Sequence, residues 1–133
     1  MWPAGVEARA MARSISNEMH AGFNDMRMHL SHHLKKQFTD FDSTVAKNDI
    51  DRVKEIWDVC LKQSRGPFLF GKFSIADAMY APVVNRFITY AVPVESKLRE
   101  YVNAVRSLPA HQEWIRGAQK EDFQIAKYED RTL

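Results

Sequence analysis

Apolar side chains recur every three or four residues along most of the chain, the period of a helix with one face turned to a core. Met11, Ile15, Met19, Phe23, Met26, Leu30 and Leu34 form the first such stripe. Arg9, Arg13, Ser16, Arg27 and Ser31 fall largely elsewhere on the wheel. The pattern predicts one long amphipathic helix from about residue 4 to 34. At ~1.5 Å per residue it would span roughly 45 Å. Pro3 suits its first turn, where a missing N–H costs nothing.

Asn48 and Asp51 predict a box-like start for a second helix, with Ile50, Val53, Ile56, Trp57, Cys60 and Leu61 as its buried stripe. Gly66-Pro67 ends it. A third helix is expected from Ile75 to about Tyr90. It is apolar nearly all round, which places it at the centre of a bundle, and Pro82 inside it removes one helical hydrogen bond and should kink it. Val94, Leu98, Tyr101, Val102, Val105 and Leu108 mark a fourth helix, and Trp114, Ile115 and Ala118 begin a short fifth after Pro109. The tail from Tyr128 is polar and expected to fray. No stretch alternates as a strand and no internal repeat is visible. The expectation is an all-α helical bundle of about five helices, one domain over residues 1–133.

The most informative segment joins the second and third helices. Gly66-Pro67 and Gly71 pinch a loop that carries Phe68, Leu69, Phe70 and Phe73. Four large apolar side chains cannot be a solvated linker, so the loop must be packed. Ser74 follows as the expected N-cap, and Asp77, three residues on, can reach back to the cap's own N–H. This is a capping box with Asp in place of Glu or Gln. The run Pro67-Phe68-Leu69-Phe70-Gly71-Lys72-Phe73-Ser74-Ile75-Ala76-Asp77 resembles the entry to the central helix in the C-terminal domain of the glutathione S-transferases. Its continuation Ala78-Met79-Tyr80-Ala81-Pro82-Val83-Val84-Asn85-Arg86-Phe87 is similar to a bacterial, cytosolic subgroup. So are Ser16-Asn17-Glu18-Met19-His20-Ala21-Gly22-Phe23 upstream and Leu108-Pro109-Ala110-His111-Gln112-Glu113-Trp114 downstream. The resemblance covers nearly the whole chain.

Composition narrows the function classes. Nineteen basic and 17 acidic residues leave a formal charge of +2. That balance argues against a nucleic-acid surface, and the one basic spot, Lys35-Lys36, is small. No apolar run approaches a membrane span, and no signal peptide opens the chain. The single cysteine, Cys60, excludes an internal disulfide and fits a reducing, cytoplasmic setting.

Four features invite a chemical reading. Val92-Pro93-Val94-Glu95-Ser96 is similar to two pieces of the thioredoxin-like half of these transferases, a Val-Pro that precedes a strand and a Glu-Ser further on that binds the γ-glutamyl end of glutathione. Here they are fused after a helix and read as a turn plus a helix cap. His29 and His33 stand at i, i+4, a chelating spacing, with His32 between them, but no further ligands complete a zinc set. No metal is expected. Cys60 lies on a buried stripe and is expected to be inert. Polar residues also sit on faces that otherwise look buried: Ser14, Glu18 and His20 on the first helix and Arg86 on the central one. The resemblance implies that these two helices line the pocket for a hydrophobic co-substrate. Met11, Ser14, Glu18 and Arg86 are the candidate wall, with Met79 as a lesser one, and plain core packing is the favoured alternative for the two methionines. An ordinary Glu18–Arg86 ion pair is the alternative for the two charged members.

The resemblance further implies a two-domain enzyme that conjugates glutathione to electrophiles and forms a homodimer. Its thioredoxin-like half would bind glutathione as co-substrate and activate the thiol. That half is absent from this chain, so no catalytic residue is assigned and no cofactor is expected to bind the chain alone. Two function classes remain: the co-substrate-binding, dimer-forming half of a transferase, or a stand-alone helical protein-interaction module of the same fold.

Overall fold

The computed structural model describes residues 1–129. Seven α-helices and one 3-10 turn are found among them: α1 Val6–Ala21, α2 Asn24–His29, the turn Ser43–Ala46, α3 Lys47–Ser64, α4 Ile75–Thr89, α5 Ser96–Arg106, α6 Pro109–Lys120 and α7 Ala126–Glu129. No β-strand is present among the described residues. Phe68 and Gly71 make only an isolated bridge. The four central helices of the expected pattern, α3 to α6, stand close to their predicted bounds.

α4 is the centre, packing along α1 on one side and against α5 on the other. Trp57 of α3 is the hub between them. Its ring lies 6.0 Å from Tyr80 and 5.2 Å from Phe87 of α4, and 4.9 Å from Tyr101 of α5. All four side chains are buried. One hydrophobic cluster, from Ala12 of α1 to Val105 of α5, holds α1 to α5 together.

The long first helix is broken. α1 ends at Ala21, Gly22 is extended, and Phe23 takes a left-handed φ of 61° before α2 begins. A Cβ on Gly22 would come within 2.9 Å of the Glu18 carbonyl, so only glycine fits this exit. Two side chains fix the break. The Arg27 guanidinium turns back and donates to the carbonyls of Met19, His20 and Gly22, the last at 2.9 Å. These are carbonyls that a continuing helix would have used itself. Asp49 accepts the Met26 N–H of α2 at 2.9 Å. The apolar period runs on across the gap because Phe23, Met26 and Leu30 are still buried, in a new direction.

Residues 30 to 42 are not helical. The second helix also starts differently from expectation. Asp42 caps the 3-10 turn through the Thr44 N–H at 3.0 Å, and α3 follows directly with no side-chain cap. The Asn48–Asp51 box does not form; Asp51 pairs with Lys47 instead. Tyr128 lies in α7, and the rest of the expected frayed tail lies outside the described residues.

Candidate functional site

The polar chemistry of the core collects at the two ends of α4. At its start, Asp77 is fully buried. Its carboxylate accepts the Ser74 N–H at 2.8 Å, the Ser74 hydroxyl at 2.9 Å and the Leu69 N–H at 3.0 Å. The reciprocal arrangement of a capping box is present. The carboxylate therefore does two jobs: it caps α4 and ties down the apolar loop before it. Burial pushes the Asp77 carboxyl above its ordinary value, and the hydrogen bonds it accepts oppose that rise. The loop itself closes on glycines. A Cβ on Gly66 would lie 2.5 Å from the Gly71 Cα, and Gly71 has a φ of 83°.

The other end of α4 holds the irregular segment after α2. Arg86 Nε donates to the Leu30 carbonyl at 2.7 Å, and Thr89 Oγ1 donates to the His33 carbonyl at 2.7 Å. The Ser31 and Tyr90 hydroxyls are 2.9 Å apart. Asn85 bridges two imidazoles. Its Oδ1 lies 2.8 Å from His111 Nε2 and its Nδ2 lies 3.3 Å from His32 Nε2. Trp114 stacks on His32 with centroids 5.1 Å apart and meets the edge of His111 at 5.6 Å. Burial lowers the His32 pKa to about 4, helped by the charge of Arg86. Burial likewise lowers that of His111, with Arg106 adding to the effect. Both rings are neutral near physiological pH.

His33 is held differently. Its Nδ1 accepts the backbone N–H groups of Lys35 and Lys36 at 3.1 and 3.0 Å, which leaves the proton on Nε2, 3.4 Å from Glu129. Lys36 also meets Glu129 at 2.8 Å, and the Lys35 ammonium donates to the Glu121 carbonyl. The segment 121–129 is thereby strapped to the loop. Among the described residues, no group of three or more His, Cys, Asp or Glu side chains is arranged to hold a metal ion.

Of the four expected pocket residues, three share one helix and one lies apart. Met11, Ser14 and Glu18 follow a helical spacing on α1, half-buried or exposed. Met11 lines a cleft of about 410 Å³ with Glu7, Ala8, Cys60 and Phe70. Glu18 is bound to Arg52 of α3 through two contacts of 2.7 and 3.0 Å. The alternative Glu18–Arg86 pair is therefore not made. Arg86 is buried and committed to carbonyls of Leu30 and Pro82. Burial brings its pKa down to about 10, with the charge of Arg27 adding to the fall. Met79 is partly buried against the core. Cys60 is buried, and burial pushes its thiol up to about 11, with Asp77 adding to the rise. It is no nucleophile at neutral pH. Val92 is buried in the turn after α4, and Glu95 is the residue before α5 with no side-chain cap.

Sequence reasoning missed Asn85, Thr89, His111 and Trp114. A signal was present: a helix buried on nearly every side that carries Asn85, Arg86 and Thr89 within one turn needs polar partners somewhere.

The fold is an all-α bundle whose central helix opens on a buried capping box, and a known family has that form. The model of the glutathione S-transferase C-terminal domain matches residues 28–117, more than half of the chain. The chain belongs to this family of helical domains. No curated protein matches it. No helix among the described residues is long and apolar enough to cross a membrane.

Proposed function

We propose that the chain is the helical, co-substrate-binding and dimer-forming half of a glutathione S-transferase, inactive alone. The observation that carries the reading is the family match over residues 28–117. The complete enzyme conjugates glutathione to a hydrophobic electrophile, and a thioredoxin-like half supplies the glutathione site and thiol activation. In this reading the outward face of α1 with Met11, Ser14 and Glu18 borders the electrophile. Arg86 supports it indirectly by holding the segment after α2. Several features favour a covered surface near the chain's start. Met1, Val6 and Phe73 are exposed, and the Ile75 N–H donates to the Met1 carbonyl at 3.0 Å. That apolar area meets the thioredoxin-like half or a second copy, in a cytoplasmic setting, with no nucleic acid involved.

In this reading the thiol-activating group belongs to the thioredoxin-like half, and Cys60, buried and resistant to ionisation, does not stand in for it. The test is turnover of a generic aryl halide with glutathione by the 133-residue chain. No rate above the uncatalysed one is expected. Saturable turnover overturns the inactivity. Sedimentation at micromolar concentration is expected to show self-association. A clean monomer that binds no apolar dye instead favours the stand-alone interaction module.

A further inference from the structure

We propose that the cleft where the segment after α2 meets the ends of α4 and α5 and the side of α6 binds a phosphate group, free or carried on a small ester, with Arg106 as its anchor. The cleft measures about 360 Å³. None of Met11, Ser14, Glu18 or Arg86 lines it, so the proposal stands apart from the co-substrate face above.

The charge of the lining has one sign. Lys35, Lys36 and Arg106 line the cleft, and no carboxylate does among the described residues. The three cations are not equivalent. Lys36 is neutralised by Glu129 at 2.8 Å and does not count. The Lys35 ammonium donates to the Glu121 carbonyl, a neutral acceptor, so it keeps its charge and has N–H groups to spare. Arg106 is exposed, and its guanidinium has no hydrogen-bond or ion-pair partner among the described residues. Only its carbonyl is used, by Gln112. Behind the lining, Arg86 is buried and bonded to carbonyls alone, and no carboxylate is among the groups whose charge acts on it.

A cation at a helix C-terminus can do no more than complement the helix dipole. α4 ends at Thr89 and α5 at Arg106, and both residues line the cleft. Each terminus is equivalent to roughly −0.5 charge, about −1 for the pair. Lys35, Arg86 and Arg106 outweigh this by about two charges, close to the charge of a phosphate group at neutral pH. The field is felt by the neighbouring imidazoles. After burial, the charge of Arg86 lowers the His32 pKa and that of Arg106 lowers the His111 pKa.

The donors suit the same ligand. A guanidinium presents a planar fork of N–H groups to two phosphate oxygens. Gln37 and Gln119 line the cleft with exposed amides, which can meet the hydroxyls of an ester. Asn85, Thr89 and His33 also line it, but their polar atoms are bonded within the protein and only close the wall.

Inorganic phosphate and glycerol 3-phosphate are the probes, titrated into the 133-residue chain near neutral pH at constant ionic strength, with a parallel chloride series. The Arg106 Nε–H and the Gln119 side-chain amide are followed by NMR. Phosphate should saturate and shift Arg106 Nε–H, and chloride should not. Tighter binding of glycerol 3-phosphate selects an ester; equal binding selects free phosphate. Arg106→Gln should weaken phosphate at least about tenfold. Arg116→Gln removes an exposed cation of α6 outside the cleft and should change the affinity less than about twofold. Bound phosphate should also raise the His111 pKa, because it opposes the Arg106 charge, and should cease to do so in Arg106→Gln. No saturation, an equal response to chloride, unchanged affinity in Arg106→Gln, or an equal loss in Arg116→Gln would each overturn the proposal. Saturation and the chloride comparison are read on the unaltered chain, so they decide even if a variant fails to fold.

Discussion

Replacing Asp77 by alanine tests the central structural argument. The substitution removes the acceptor of two backbone N–H groups, from Leu69 and Ser74, and of the Ser74 hydroxyl. Asp77 and Leu69 are fully buried and Ser74 is nearly so, so water cannot replace the carboxylate. A buried donor left unsatisfied costs about 1–3 kcal/mol, which gives about 2–6 kcal/mol for the two backbone groups. The desolvation cost of the buried carboxylate, which also pushes its pKa up, is recovered at the same time. The balance is a loss of about 3 kcal/mol, a large share of the ~5–15 kcal/mol typical of a domain. Ser74→Ala loses the hydroxyl that donates to the Asp77 carboxylate and accepts the Asp77 N–H, and should cost about 1–2 kcal/mol. The double variant should lose less than the sum, because both remove the same hydroxyl–carboxylate bond. With a urea slope of ~2 kcal/mol per M, the Asp77→Ala midpoint should fall by about 1.5 M. The pH dependence adds a second check. A carboxyl whose folded pKa is raised contributes stability below its ordinary pKa and loses it as pH rises through the raised value. That decline should vanish in Asp77→Ala. Single variants with the wild-type midpoint, or fully additive losses, would refute the picture of one carboxylate joining loop and helix.

Three further changes have definite signs. His32 has a depressed folded pKa, so the unfolded chain binds more protons between about pH 6.5 and 4 and stability falls as pH drops through that window. After discounting for its partial exposure the loss is roughly 2 kcal/mol, read as the difference in urea stability between the unaltered chain and His32→Phe at the two ends of the window. Gly66→Ala drives a Cβ into the Gly71 backbone, which cannot rotate away, and should cost more than about 2 kcal/mol by thermal unfolding. Ala91 is exposed with a φ of 48°, so Ala91→Gly should raise stability by up to about 1 kcal/mol, and a lowered melting temperature would contradict that strain.

The parts of the fold legible in the sequence were those set by local chemistry. Ser74 and Asp77 announce a helix start by spacing alone, and the stripes of α3 to α6 follow from period. The break after Ala21 was not legible from period, because Met19, Phe23, Met26 and Leu30 keep it across the gap. What breaks the helix is a glycine exit plus two side chains acting at a distance. Arg27 reaches back to carbonyls up to eight residues earlier, and Asp49 comes from another helix. Likewise the charge of Glu18 on a half-buried face admits an ion pair, but Arg86 is not the partner. The partner proved to be Arg52 on α3, because α1 presents Glu18 to that side while Arg86 points to the C-terminal end of α2.

α4 therefore carries opposite kinds of polar demand at its two ends. At the start, one carboxylate gathers donors from a loop adjacent in sequence, so the arrangement is compact and could be read from a dozen residues. At the far end, Asn85, Arg86, Thr89 and Tyr90 reach a segment more than fifty residues away, and Asn85 also reaches His111 on α6. That segment has no regular backbone pairing of its own over residues 30 to 42. Its order comes from side chains of α4 and from the Phe38 N–H, which donates to the Thr89 carbonyl at 2.6 Å, and the strap at 121–129 is held in turn by His33, Lys35 and Lys36. Of the rings around Asn85, His32 belongs to this loop while His111 and Trp114 stand on α6, so one α4 side chain ties the loop to α6, whereas the capping box at the other end of α4 uses only bonds that are local in sequence.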